Sequence, residues 1–277
     1  MTEAEEAPPG VDTATPSAAR LYDYYLGGRN NFPVDRTAGD QLKVAMPDLY
    51  DAAWANRGFH QRSARWMAKE HGIRQFIDIG SGLPTQGNTH QAVKKDARDV
   101  EPRVVYVDHD PMVKALADGL LADEKHTAFI LADMRDPDAV FGNEELRALI
   151  DFSQPVGLLM TAVFHFVADG SDPQGLVKRY TDALAPGSYL ALSHVTTDWL
   201  TPRAVEAMYE TYKDSPTPLT LRTRAEILRL FDGLELVPPY GGAEPGLSYV
   251  GVWGAEDPEA ADDEGSRVLF CGVARRP

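Results

Sequence analysis

Residues 76–90 read FIDIGSGLPTQGNTH. A short apolar run closes on Asp78, and Gly80, Gly82 and Gly87 follow within eight positions. Read outward, this is a buried strand, a turn that needs the conformational freedom of glycine, and the start of a helix. In an open α/β sheet such a turn lies at the carboxyl edge, where ligands bind. Asp78 at the strand end can accept hydrogen bonds there from a cationic or N–H-bearing group.

The alternation continues downstream. QFIDIG (75–80), RVVYVDHD (103–110), TAFILADMRD (127–136), PVGLLMTAVFHFV (155–167) and GSYLALSHV (187–195) are strand-like. Between them, THQAVKKDAR (89–98), DPMVKALADGLLAD (110–123), DAVFGNEELRALI (138–150) and DPQGLVKRYTDALAPG (172–187) read as helices, the second capped by Asp110 with Pro111 in its first turn. Near-continuous apolar strands, each followed by a helix, imply a parallel sheet covered on both faces. The chain closes on a helix, RTRAEILRLFDG (222–233), and two strands, LELVPP (234–239) and RVLFCGVARR (267–276). The acidic stretch AEDPEAADDEG (255–265) between those strands reads as a solvated excursion.

Upstream of the sheet, residues 1–16 lack periodicity and are expected to be a disordered tail. Residues 17–72 carry three helices and read as an N-terminal helical cap. Residues 73–277 form the core, with a helical insertion at about 196–222. The chain has 277 residues, 43% of them hydrophobic, enough for a substantial core, and carries a formal charge of −15. Its basic residues are scattered, which argues against a nucleic-acid partner. No apolar run approaches membrane-spanning length, and the acidic N-terminus is not expected to be a targeting segment. The expected location is cytoplasmic. The single cysteine, Cys271, excludes an internal disulfide, and no metal site is expected.

Two ligand classes compete for the glycine turn. A dinucleotide fingerprint G-x-G-x-x-G is met by Gly80 and Gly82, but its third position holds Thr85. The motif D/E-x-G-x-G, fully met by Asp78–Gly82, resembles the first motif of class I S-adenosylmethionine-dependent methyltransferases. Asp108, at the carboxyl end of the second strand, can chelate two vicinal ribose hydroxyls in either class. Asp133 after the third strand can accept from an exocyclic adenine amine, and Met134 can cover the ring. VPPY (237–240) looks like the N/D-P-P-Y motif of DNA and amine methyltransferases, but it follows the sixth strand instead of the fourth, and Val237 lacks the polar side chain that the motif needs.

Over residues 74–195 the order of motifs resembles class I methyltransferases, and AVFHFVAD (162–169) with LAPGSYLALSH (184–194) is similar to their fourth- and fifth-strand segments. ARLYDYYLGGRNNFPVDR (19–36), NRGFHQRSARWMAKEHGIRQFIDIGSGLPTQGNTH (56–90) and RVVYVDHDP (103–111) look like the DUF574 group of predicted S-adenosylmethionine-dependent methyltransferases. The resemblance implies a Rossmann-like, seven-stranded, mostly parallel sheet with an antiparallel last strand, and S-adenosylmethionine as cofactor, leaving S-adenosylhomocysteine. It implies a cofactor loop of Asp78, Gly80, Ser81 and Gly82. Asp108 would hold the ribose, with His109 beside the adenine. Asp133 and Met134 would flank the base, and the backbone at Thr161–Ala162 would face the methionine portion. Leu83-Pro84 after the loop, and about 30 residues between Asp78 and Asp108 where about 20 are usual, depart from the common pattern.

His165 and His194 fall at strand ends and are candidate general bases, His165 before His194; both can equally be core or pocket-shaping histidines. The tyrosines and polar residues at 22–32 and 56–59 suggest a lid. In it Arg29 or Arg57 would meet the cofactor carboxylate and Asn30 would hydrogen-bond to it. The expected activity is methyl transfer to a small-molecule acceptor by in-line displacement. The alternatives are a non-catalytic protein that binds the methyl donor or its product, and an NAD-dependent oxidoreductase.

Overall fold

The structure is a computed structural model that describes residues 7–8, 11–84, 87–96, 101–215 and 218–277. Three helices come first: α1 (Ala18–Tyr25), α2 (Pro33–Ala45) and α3 (Leu49–His71). The sheet then alternates β1 (Gln75–Ile79), α4 (Thr89–Asp96), β2 (Arg103–Asp108), α5 (Pro111–Leu120) and β3 (Thr127–Leu131). It continues with α6 (Pro137–Gly142), α7 (Glu144–Leu149), β4 (Gly157–Thr161), α8 (Pro173–Asp182) and β5 (Tyr189–Val195). α9 (Pro202–Tyr212), α10 (Arg224–Leu228), β6 (Glu235–Leu236), β7 (Ser248–Tyr249) and β8 (Leu269–Arg275) complete the chain.

The strand order is β3-β2-β1-β4-β5-β8-β6, with β7 also paired to β8. β1 to β5 run parallel, and β8 lies antiparallel to β5 along its full length, Tyr189 opposite Arg275 and Val195 opposite Leu269. The order reverses between β1 and β4, which opens a crevice at their carboxyl ends. Among the described residues the sheet has eight strands; the two-residue β7 has too little sequence to announce itself by alternation.

Period-two alternation divides the core. Phe76, Tyr106, Leu159 and Ala191 point to the face covered by α3, where they pack with Phe59, Met67 and Trp253. Ile77, Val105, Met160 and Leu192 point to the other face, with Leu146, Val177 and Tyr180. Leu21 of α1 and Leu42 of α2 belong to the first cluster. The N-terminal helices are therefore continuous with the core of the sheet.

Two expectations change. DAVFGNEELRALI is not one helix: it breaks at Asn143, whose Oδ1 accepts from the N–H groups of Glu145 and Leu146 and caps α7. Residues 11–16 are tied down: the Arg20 guanidinium donates to the carbonyls of Asp12 (3.0 Å) and Thr15 (2.5 Å). The composition of that stretch did not reveal that a buried arginine needs its carbonyls. The expected tail residues 1–6 and 9–10, and Thr85, lie outside the described residues. Among the described residues, no helix is long and apolar enough to cross a membrane.

Candidate functional site

A cavity of about 530 Å³ opens at the carboxyl ends of β1, β2 and β4, within the usual size of a small-molecule site. Its floor holds Asp78, Gly80–Gly82, Asp108–Pro111, Ala132–Arg135 and Thr161–Val163. Val11 to Tyr25 of the N-terminal segment, α3 residues from Leu49 to His60, and Met208, Tyr212 and Leu219 of the insertion wall the rest.

The turn after β1 explains two of its glycines differently. Gly80 has φ +65°, and a Cβ there would sit 2.2 Å from Val163 Cγ2, so its close neighbour is the protein itself. Gly82 has φ +63° with nothing within 4 Å of a Cβ, and its N–H donates to Asp108 Oδ2 at 2.9 Å. The Asp110 N–H donates to Asp108 Oδ1 at 3.0 Å. Two backbone donors thus aim a buried carboxylate at the end of β2, and each oxygen keeps a lone pair. Burial pushes the Asp108 carboxyl above its ordinary range, against the pull of those two amides. His109 is exposed at the cavity rim.

Asp78 occupies the α3 face of β1 and is 3% exposed. Thr89 Oγ1 donates to its Oδ2 at 2.7 Å. His60 Nε2 lies 2.8 Å from Thr89 Oγ1 and 3.5 Å from Asp78 Oδ2, and His60 Nδ1 lies 2.9 Å from Thr161 Oγ1. Burial raises the Asp78 carboxyl to about 6, with Thr89 and Arg57 opposing the rise and Asp108 adding to it. Burial, with the Arg57 charge, holds the His60 ring well below its ordinary value, so it is neutral.

A second chain of hydrogen bonds runs beside the first. Asn56 Nδ2 donates to the Tyr22 hydroxyl (2.8 Å), Ser193 Oγ donates to Asn56 Oδ1 (2.5 Å), and the Ala162 N–H donates to Ser193 Oγ (2.9 Å). Ala162 sits at φ +53°, a conformation that costs a residue with a Cβ about 1–3 kcal/mol. This chain holds the end of β4 in that conformation.

Asp133 and Met134 both line the cavity, but the Asp133 carboxylate is forked by Arg135, whose Nε and Nη2 donate at 2.9 and 2.6 Å. That pairing holds the Asp133 carboxyl below its ordinary range. The Met134 carbonyl is anchored by the Tyr180 hydroxyl at 2.8 Å. Arg57 lines the cavity and donates to the Gly87 carbonyl at 3.2 Å. Arg29 and Asn30 do not line it; the Asn30 N–H donates instead to Asp23 Oδ2 at 2.8 Å, because Asp23 organises the Gly27–Asn31 turn. The polar group brought to the cavity in place of Asn30 is Asn56.

The two candidate bases part company. His194 faces the side of the sheet away from α3: its Nδ1 donates to the Val195 carbonyl at 2.7 Å and its Nε2 accepts from Arg222 Nη1 at 2.8 Å. With both nitrogens engaged and no place on the cavity wall, it is a core residue. His165 lines the cavity, buried, with no partner on Nδ1. Burial, with His194 and Arg222 nearby, holds its ring well below the ordinary value. Sequence reasoning missed His60, Thr89 and Ser193. The signal available was the polar stripe Asn56, His60 and Ser63 on the buried face of α3, at the spacing of an apolar stripe.

The S-adenosyl methyltransferase family model matches residues 4–277. A putative methyltransferase from Thermobifida fusca YX has a similar structure, 36% identical, covering 99% of both chains with a TM-score of 0.88. A DUF574 family protein from Streptomyces avermitilis MA-4680 is 41% identical over 96% of this chain and 99% of its own, with a TM-score of 0.86. No curated protein matches the chain. With the family model spanning nearly the whole length and two structures this similar from end to end, the chain belongs to the S-adenosyl methyltransferase family.

Proposed function

We propose that the cavity binds S-adenosylmethionine along the carboxyl edge of β1, β2 and β4 and that the protein transfers its methyl group to a small-molecule acceptor. The observation that carries this reading is the buried Asp108 carboxylate, aimed by the N–H groups of Gly82 and Asp110 at the position where a ribose diol would be chelated. Asp78 and Thr161 offer oxygens to an amino-acid tail, and Arg57 a cation to its carboxylate. Met134, at the far side of Asp108, offers an apolar cover for a base. Asp133, forked by Arg135, would reach an adenine amine only through a lone pair left free by that pairing.

A bound sulfonium supplies an already activated methyl carbon, so what remains is alignment and exclusion of water. The residues that wall the cavity do this work. Val11 to Tyr25 close one side, and Phe166, Met208 and Tyr212 close another. His165, neutral and on the cavity wall, would be the group to take a proton from a hydroxyl or amine acceptor once its buried, unpartnered Nδ1 is turned to the cavity. Its strongly depressed pKa makes it a weak base, which suits an acceptor whose own proton is acidic.

The formal charge of −15 and the aromatic side chains of Tyr22, Tyr25, Phe166 and Tyr212 in the wall favour a small acceptor over a nucleic acid. Calorimetry with S-adenosylmethionine and S-adenosylhomocysteine tests the cofactor, and turnover on a panel of phenols, amines and carboxylates tests the transfer. Tight binding of both with no methyl transfer to any acceptor would favour a protein that senses the methyl donor. Absence of binding would end the reading.

A further inference from the structure

The two hydrogen bonds of His60 have a direction. While Asp78 is ionised its oxygens only accept, so the single Thr89 hydroxyl proton is spent on Asp78 Oδ2 at 2.7 Å. Toward His60, Thr89 Oγ1 must then accept, so the proton of the neutral ring is on Nε2, which lies 2.8 Å away. Nδ1 is left bare and accepts from the Thr161 hydroxyl at 2.9 Å. The Thr161 proton is thereby turned away from the cavity, and its lone pairs are left to face whatever binds there.

Adding one proton at Asp78 reverses every link. Asp78 then donates to Thr89, Thr89 donates to His60 Nε2, and the ring carries its proton on Nδ1 and donates to Thr161. The Thr161 hydroxyl proton is released toward the cavity. The proton count balances: Thr89 passes its proton to Asp78, Nε2 passes its own to Thr89, Thr161 passes its own to Nδ1, and Thr161 takes one proton from the cavity, so the net gain is one proton, held at Asp78.

We infer that His60 is a positioning residue that sets the direction of the Thr161 hydroxyl, so that the end of β4 accepts a hydrogen bond from a cationic amine while Asp78 is ionised and donates one when Asp78 is protonated. This rests on the reading of the cavity as a site for a methyl donor, whose amino-acid tail carries such an amine. The charged and titratable groups that face Asp78 are Arg57 and His60 from α3, and Tyr106 and Asp108 from β2, with the Thr89 hydroxyl of α4 bonded to it. Arg57 favours the ionised carboxyl and Asp108 the protonated one. The crossover falls where the Asp78 carboxyl titrates, about 6.

The first test is calorimetry on the full chain with S-adenosylhomocysteine and with its analogue lacking the α-amino group. Roughly two pH units above the crossover, the native protein is expected to prefer the amine-bearing ligand by about tenfold or more, the size of a hydrogen bond to a charged group. His60→Leu and Thr161→Val are each expected to lose most of that preference while keeping their affinity for the deaminated analogue. Thr161→Ser is expected to restore it. Equal loss of both ligands in His60→Leu, or an unchanged preference, would overturn the inference.

The second test is independent of any ligand and of variants that fail to fold. Long-range ¹H–¹⁵N spectra of the native protein are expected to show the His60 proton on Nε2 above the crossover and on Nδ1 below it. A proton on Nδ1 at high pH, or one that stays on Nε2 throughout, would overturn the relay. Failure of the native protein to bind either ligand would instead defeat the cofactor reading, with the spectra still deciding the relay.

Discussion

The hydroxyl of Ser17, the residue that opens α1, donates to Asp110 Oδ2 at 2.7 Å across 93 positions of sequence. Asp110 meanwhile caps α5 through its Oδ1, which accepts from the Met112 N–H at 2.8 Å. The N-terminal segment is thus fastened directly to the loop that carries Asp108, and residues 11–20 form part of the cavity wall. A single hydrogen bond of this kind contributes about 1 kcal/mol. Ser17→Ala is therefore expected to speed release of a bound cofactor several-fold with little change in the midpoint of thermal unfolding. Stopped-flow displacement of a fluorescent S-adenosylhomocysteine analogue measures it, and an unchanged release rate would show that the latch does not gate the cavity.

The same segment is pinned from behind by Arg20 and Asp35, 2% and 0% exposed, whose Nε and Oδ2 are 2.8 Å apart. Asp35 also accepts from the Ser17 N–H (3.0 Å) and the Phe32 N–H (2.8 Å). Removing the carboxylate alone leaves a buried guanidinium without its counter-charge and two amides without their acceptor. Asp35→Ala is expected to lower unfolding stability by about 3–5 kcal/mol, measured by denaturant titration. A loss under about 1 kcal/mol would mean that the segment is held by its apolar contacts.

Asp108→Ala is expected to weaken S-adenosylhomocysteine binding at least tenfold, because two charge-assisted hydrogen bonds to a diol are lost. Asp108→Asn keeps the shape and one acceptor and should fall between. Calorimetry on variants with native circular dichroism decides this, and unchanged affinity in Asp108→Ala would remove the ribose assignment.

Asp78 illustrates a site that costs stability. Its folded carboxyl holds a proton up to about pH 6, against 3.8 for the free side chain. Because the folded value is raised, the favourable contribution is complete below pH 3.8 and is lost as pH rises through about 6. Above that, the ionised carboxylate works against the fold. Asp78→Asn is expected to raise stability by about 1–3 kcal/mol near neutral pH, with the gain vanishing toward pH 4. It should weaken cofactor affinity at the same time. Denaturant titrations across that range check it, and a destabilised variant at neutral pH would show that the Thr89 and Arg57 contacts outweigh burial.

Arg222 pins the insertion from within, 3% exposed, donating to the carbonyls of Phe164 and Val167, to His194 Nε2 and to Asp169. Arg222→Met is expected to lose about 2–4 kcal/mol of stability, since it strands two buried carbonyls and an imidazole. Thermal unfolding with and without S-adenosylhomocysteine measures it. Unchanged stability would mean that the insertion is fixed by its backbone bonds, such as the Thr220 N–H to the His165 carbonyl (2.7 Å), and by its apolar contacts.

Periodicity and turn chemistry belong to the chain itself. The alternation of apolar strands with helices announced the parallel sheet, and Asp78 and Asp108 were readable as strand-end carboxylates because a strand with five buried residues runs into a turn at each. The glycine turn, the helix cap at Asp110 and the resemblance to methyltransferases were all local signals of this kind. What folding alone decided was which residues meet across space. His194 and Ser193 are neighbours in sequence, yet the pleat sends Ser193 to the Asn56 chain and His194 to the opposite face, where Arg222 occupies it. Nothing local to α3 says that Asn56 will reach β5, or that His60 will reach both Asp78 and Thr161. Those partners lie up to 137 positions apart, and only the packing of one helix across three strand ends brings them within hydrogen-bonding distance.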